Sequence, residues 1–278
     1  MEKIGILGSG DWSKKLVKSL APHYSVTEYS SRAIINRSKL IDTSSQAVWI
    51  ASRNSKQLEL AKLLLQSDFL GKIILEKPYF TNAKEKAVLN NLIESGQERI
   101  FLSQVWAKSR LWVEFLNTVL SKDNEFQILA SRVGEKRRSE FFPPLDWLPH
   151  DLYLALDLSR HLGLEIKVVE SSWQSDNDII IGSILIGSSC KFDLKVGYSV
   201  ERQNFWKTTF DNGDCIELDF VGLSIKINGE FVFQESKQDV PDVPILNFAN
   251  WVLNQPTDSD QQRLINLNSR FYLETKLS

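Results

Sequence analysis

A chain of 278 residues has room for two domains, or for one domain with a large insertion. With 42% hydrophobic and 24% charged residues and a formal net charge of -2, it reads as a globular protein, with no electrostatic case for nucleic acid or an anionic membrane surface. No apolar stretch approaches the roughly 20 residues of a membrane span, and the two cysteines, Cys190 and Cys215, lack the spacing of metal ligands. The run Met1 to Leu7 is too short before Gly8 to read as a leader, and with two isolated thiols the expectation is a reducing cytoplasm.

The first half alternates strand and helix. Lys3 to Leu7 reads as a strand and Trp12 to Leu20 as a helix, followed by strands at Tyr24 to Tyr29 and Ala47 to Ala51. Leu58, Ala61, Leu64 and Leu65 give Lys56 to Gln66 helical spacing. Lys72 to Glu76 is then a short aliphatic strand, ended by Pro78, which cannot donate to a ladder and pushes Lys77 into an extended conformation. A helix from the N-cap Asn82 to Ser95, stopped at Gly96, and a strand at Ile100 to Ser103 complete the half. Such alternation specifies a parallel sheet covered by helices. A crossover is expected within Leu120 to Phe126, dividing the chain into domains 1–122 and 123–278.

Beyond it, Asp146 to about Leu162 reads as a helix. Strands then follow one another from Ile166 to Phe233, among them Asp178 to Ile186, Lys191 to Val196 and Cys215 to Phe220. Asp211-Asn212-Gly213-Asp214 and Asn228-Gly229 are hairpin turns, so the second domain is α+β with a largely antiparallel sheet. A helical tail begins at Pro241 to Pro244 and can pack on either domain.

Three motifs carry chemistry. Gly8-Ser9-Gly10-Asp11-Trp12 joins the first strand to the first helix and fits a dinucleotide fingerprint. One glycine makes the tight turn, the next lets a pyrophosphate approach the helix N-terminus, and Ser13 replaces the third. About 20 residues on, Ser30, Ser31 and Arg32 stand where the adenosine ribose is read, and a guanidinium suits a 2′-phosphate, which favours NADP over NAD; a polar surface loop is the other reading. Lys77 follows a strand of an α/β sheet, at the edge where ligands bind. Asp146 and His150 lie four apart on one helix face, because Pro149 is tolerated only in a first turn and so places the helix start at Asp146 to Leu148. The carboxylate can orient the imidazole, although a capping Asp146 and a core His150 explain the same spacing. His23 and His161 read as surface or packing residues. The basic run Glu135-Lys136-Arg137-Arg138 suits a phosphate or, more simply, a solvated loop.

The glycine turn, Glu76-Lys77-Pro78 after a mid-chain strand and Asp146-x-x-x-His150 together resemble the Gfo/Idh/MocA oxidoreductases, the glucose–fructose oxidoreductase and inositol dehydrogenase relatives. The resemblance runs from residue 1 to about 162, and the β-rich remainder matches in type only. It implies an N-terminal Rossmann domain that holds NAD or NADP through Gly8, Ser9, Gly10, Asp11, Trp12, Ser30, Ser31, Arg32, Ser52, Asn54, Glu76 and Lys77. It also implies hydride exchange with a carbinol or carbonyl carbon of a sugar, cyclitol or nucleotide sugar. Lys77 would then polarise the substrate oxygen, His150 would act as general acid/base and Asp146 would support it. Trp106 and Trp147 are candidate walls for a sugar ring, and no metal is called for. Family habit adds a homodimer or homotetramer paired through the second-domain sheet. The chain departs from the pattern where Phe141-Phe142-Pro143-Pro144-Leu145 replaces a glycine-rich run and Leu148 a small residue. Those departures motivate the alternative of a dinucleotide-binding regulator or scaffold without turnover.

Overall fold

The computed structural model describes residues 1–35, 41–52, 54–96, 98–122, 125–134, 143–174, 179–198, 201–236, 242–255 and 260–271. By its contacts the chain forms two compact units, Met1–Val105 with Val240–Gln262, and Trp106–Asp239 with Arg263–Ser278. The division differs from the single boundary expected at 122/123: it falls earlier, and a C-terminal segment returns to the first unit.

The first unit is a five-stranded parallel sheet in the order β2-β1-β3-β4-β5, built from β1 (Lys3–Leu7), β2 (Ser25–Tyr29), β3 (Ala47–Ile50), β4 (Lys72–Leu75) and β5 (Ile100–Leu102). The inner strands are near-continuous apolar runs because helices cover both faces: Ala47-Val48-Trp49-Ile50 is buried throughout, whereas edge strand β2 is mostly exposed. The connecting helices are α1 (Asp11–Leu20), α2 (Ser31–Ile35), α3 (Asn54–Leu65) and α4 (Ala83–Ser95). Asn82 caps α4 by accepting from the Glu85 N–H at 2.9 Å, while the Glu85 carboxylate accepts from the Thr81 N–H at 2.7 Å. Gly96 stops α4 in a right-handed conformation, its N–H on Leu92 O at 2.7 Å.

The returning helix α7 (Asp242–Asn254) packs on α1. Lys72, at the start of β4, donates to Val252 O at 2.5 Å, to Leu253 O at 3.1 Å and to Gln255 O, carbonyls at the C-terminal end of α7 where a cation is favoured. One ammonium thus fixes the tail of the chain to the sheet.

The second unit holds α5 (Arg110–Leu120), β6 (Phe126–Gly134), α6 (Pro143–His161), β7 (Ile166–Gln174), β8 (Ile179–Ile186), β9 (Cys190–Tyr198), β10 (Gln203–Phe210), β11 (Cys215–Asp219), β12 (Ser224–Ile227) and β13 (Glu230–Gln234). α8 (Gln261–Ser269) crosses the division between the units. The strands form one sheet in the order β13-β12-β11-β10-β6-β9-β8-β7, antiparallel except where β6 and β9 run parallel. α6 packs on β6, β8 and β9, and α5 on β12 and β13. Leu129 on β6 and Ile181 on β8 remain exposed. The expected hairpin turns are both present: Gly213 and Gly229 adopt φ of 88° and 89°, left-handed values open to glycine.

Candidate functional site

Where the strand order reverses, between β1 and β3, the carboxyl ends of the two strands frame a crevice. The turn after β1 is tied down on both sides, with the Gly8 N–H on Tyr29 O at 3.1 Å and the Ala51 N–H on Leu7 O at 2.8 Å. Gly8 has φ 156°, and a Cβ there would stand 2.5 Å from Ser13 Oγ and 2.6 Å from Ala51 O. Only glycine fits. Ser13 is buried against it, so the small third residue of the motif packs helix to strand as its size suggests. Gly10 is different: a Cβ there would meet nothing within 4 Å. It N-caps α1 without a side-chain cap bond, so the cap residue supplies no side-chain acceptor to the first-turn N–H groups.

A cavity of about 440 Å³ lies at this turn, lined by Gly8, Ser9, Gly10, Ser30, Ser31, Arg32, Ala51, Ser52 and Lys56. Its size lies within the usual range of small-molecule sites. The structure thus brings together most of the residues expected to hold a nucleotide. Asp11 and Trp12 are not among the lining residues; Asp11 is exposed, 3.9 Å from Lys14 Nζ. Ser30 is not in a loop followed by loop: Ser31 begins the short helix α2, too brief for helical periodicity to reveal. Asn54 opens α3, but its side chain and Arg53 lie outside the described residues.

Two hydroxyls form the floor. Ser52 Oγ donates to Leu7 O at 3.1 Å and shares a second hydrogen bond with Ser31 Oγ. Among the described lining residues there is no carboxylate, and Arg32 and Lys56 are both exposed cations. Lys56 is the residue that motif reading missed, since no fingerprint position marks it.

Glu76 and Lys77 lie at the carboxyl end of β4, one strand over from β3. Glu76 is buried, its carboxylate accepting from Trp49 Nε1 at 2.9 Å and its backbone N–H donating to Gln57 Oε1 at 2.7 Å. It braces the end of the strand and is absent from the cavity lining. Lys77 is half-buried and precedes a cis peptide bond to Pro78.

In the second unit, α6 begins at Pro143, before the expected start, and Pro149 lies inside it. The two prolines Pro143 and Pro144 suit a first turn, so Pro149 falls in the second, where its missing N–H leaves the Leu145 carbonyl without a helical donor. Asp146 is therefore a first-turn residue and not the N-cap; it still sits one turn before His150, which is 7% exposed. Leu148 is buried and lies about 200° round the helix from Asp146, so it does not stand between the pair. Directly after His150, Asp151 accepts from Arg132 Nε at 2.6 Å, Arg132 Nη2 at 2.9 Å and Trp206 Nε1 at 2.9 Å, all buried. Arg132 also lies 5.0 Å over the Phe220 ring, against which Trp106 packs edge-on at 5.5 Å. Trp147 packs edge-on to Tyr198 at 6.3 Å. The run 135–138 and Phe141-Phe142 lie outside the described residues.

Neither a family model nor a curated sequence matches the chain. Solved structures do. UDP-N-acetylglucosamine 3-dehydrogenase GnnA from Acidithiobacillus ferrooxidans is similar with a TM-score of 0.73 and 17% identity, over 99% of this chain and 98% of that one. A myo-inositol dehydrogenase from Corynebacterium glutamicum gives 0.70 and 12%, over 99% and 96%. The chain shares the fold of these dehydrogenases. Biliverdin reductase from Synechocystis, in complex with biliverdin and NADP+, also matches with a TM-score of 0.67 and 11% identity, over 99% and 98%. One fold hosts several chemistries.

Proposed function

We propose that the protein is an NAD(P)-dependent oxidoreductase, preferring NADP, that exchanges hydride with a carbinol or carbonyl carbon of a sugar, cyclitol or nucleotide-sugar-like substrate. The observation that carries the reading is the cavity at the strand-order reversal, framed by Gly8 and Gly10, with two cations and no carboxylate in its described lining. The backbone of Ser9 to Asp11 would hold the pyrophosphate and Arg32 the 2′-phosphate. When bound, the nicotinamide ring supplies or accepts the hydride. Lys77 stabilises charge developing on the substrate oxygen, and His150 gives or takes its proton, oriented by Asp146 one turn earlier on α6. Trp106 and Trp147 wall the sugar ring.

The alternative of a regulator without turnover loses part of its motivation, since Leu148 faces away from the acid/base pair. Reduction of a tetrapyrrole double bond is favoured by the likeness to biliverdin reductase; the Asp146–His150 pair, suited to oxygen-bound protons, favours the alcohol/ketone couple. A cytoplasmic homodimer or homotetramer, paired through the sheet face that exposes Leu129 and Ile181, completes the reading. Light scattering of Leu129→Lys against the parent chain tests that pairing.

A panel of UDP-sugars, inositols, monosaccharides and biliverdin, each with NADP+ or NADPH and followed by reduced-nicotinamide absorbance, tests the reaction class. Turnover on an alcohol or ketone, reduced at least about 100-fold by Lys77→Ala, is the expected result. Full turnover in that variant contradicts the catalytic assignment.

A further inference from the structure

We infer that Lys56, on the first turn of α3, is a cofactor-selectivity residue, forming with Arg32 a two-cation clamp on the 2′-phosphate of NADP. The inference rests on the dinucleotide reading of the cavity and assigns within it a residue that the fingerprint leaves out. Three observations carry it. Lys56 lines the same cavity as Ser30, Ser31 and Arg32, although it stands on the element after β3 while they follow β2. The Ser31 hydroxyl is already tied to Ser52, which also bonds Leu7 O, so the charge of a phosphate there falls to the cations of the lining. Finally, no carboxylate is among the described lining residues, so nothing there hydrogen-bonds a bare ribose 2′-hydroxyl as an NAD-selective acid does.

The two cations divide the work. Arg32 presents a planar fork that matches two phosphate oxygens, and Lys56 adds a compact charge from α3. Being exposed, each is screened by salt, so the selectivity they confer weakens as ionic strength rises.

The test is calorimetric titration of the full chain with NADPH, NADH, 2′,5′-ADP and 5′-ADP. The proteins are the parent, Lys56→Gln, Arg32→Gln, Lys56→Arg and, as a control on the outer face of the same helix, Lys62→Gln. The clamp predicts that Lys56→Gln lowers the ratio of NADPH to NADH affinity about tenfold, with the same loss in the ratio of 2′,5′-ADP to 5′-ADP. Lys56→Arg restores most of it and Lys62→Gln leaves it unchanged. Dinucleotide binding whose ratio is the same in the parent and in Lys56→Gln overturns the clamp but keeps the cavity assignment. A folded parent that binds none of the four ligands overturns the dinucleotide reading itself.

Discussion

Gly8 and Gly10 are two residues apart in one turn, yet the structure gives them opposite tasks, and alanine at each separates folding from binding. At Gly8 an added Cβ would lie 2.5 Å from Ser13 Oγ and 2.6 Å from the Ala51 carbonyl oxygen, on a backbone at φ 156°. Ser13 can rotate, but Ala51 O is backbone, on the residue whose N–H bonds Leu7 O at 2.8 Å between β1 and β3. Relieving the overlap means separating the ends of two central strands. Overpacking of this kind costs about 1–3 kcal/mol, and a non-glycine residue at positive φ adds about 1 kcal/mol, so Gly8→Ala should lose about 3 kcal/mol. For a chain of this size that corresponds to a fall in Tm of about 10 °C. At Gly10 the backbone (φ -83°, ψ 180°) accepts alanine, nothing lies within 4 Å, and the change from glycine to alanine at an N-cap costs about 0.5 kcal/mol. Its methyl enters the cavity, however, and should weaken NADPH at least about tenfold by blocking the approach to the α1 N-terminus. Thermal melts paired with calorimetric titrations read both effects. A Gly8→Ala protein as stable as the parent, or a Gly10→Ala protein that binds NADPH as the parent does, would refute the reasoning.

Asp151→Ala strands the buried Arg132 guanidinium and leaves Trp206 Nε1 unmatched, so urea unfolding should show a loss of about 3–5 kcal/mol; a change under 1 kcal/mol would mean that water replaces the carboxylate. Asp42 is held at about 2 by the Ser44 hydroxyl and N–H and by Lys3, and Asp214 at about 2 by Lys122, Asn228 and Asn212. Both pKa values are depressed on folding, so their stabilisation is complete above the ordinary carboxylate value and is lost as pH falls through about 2. Urea midpoints measured between about pH 4 and 2 should decline, and decline less steeply in an Asp42→Asn/Asp214→Asn double variant. Burial pushes the Cys190 thiol up to about 12, so at pH 8 a thiol reagent should label Cys215 and reach Cys190 only after denaturant is added, as peptide mapping would show.

Legibility in the sequence followed the length of the physical signal. The inner strands and the helices α1, α3 and α4 were readable because burial on both sheet faces enforces apolar runs and caps such as Asn82 are local. α2 was not readable, having only five residues. α5 carries its signal locally: Ser109 accepts from the Trp112 N–H at 3.1 Å as its cap, and Leu111, Trp112, Phe115, Leu116 and Val119 form its buried stripe. α6 starts before Asp146 because the pair Pro143-Pro144, and not Pro149, occupies its first turn. At the site, glycine spacing located the cavity, since it reflects steric demands within one turn. Lys56, the Ser31–Ser52 relay and the Arg132–Asp151 pair were invisible for a different reason: each joins elements that only the folded sheet brings together.

The most direct test of the account is a crystal structure of the full chain grown with NADPH. The expected result is the pyrophosphate on the backbone of Ser9 to Asp11, the 2′-phosphate between Arg32 and Lys56, and the nicotinamide directed toward the end of β4 at Lys77. A cofactor bound elsewhere, or an empty crevice at saturating NADPH, would contradict it.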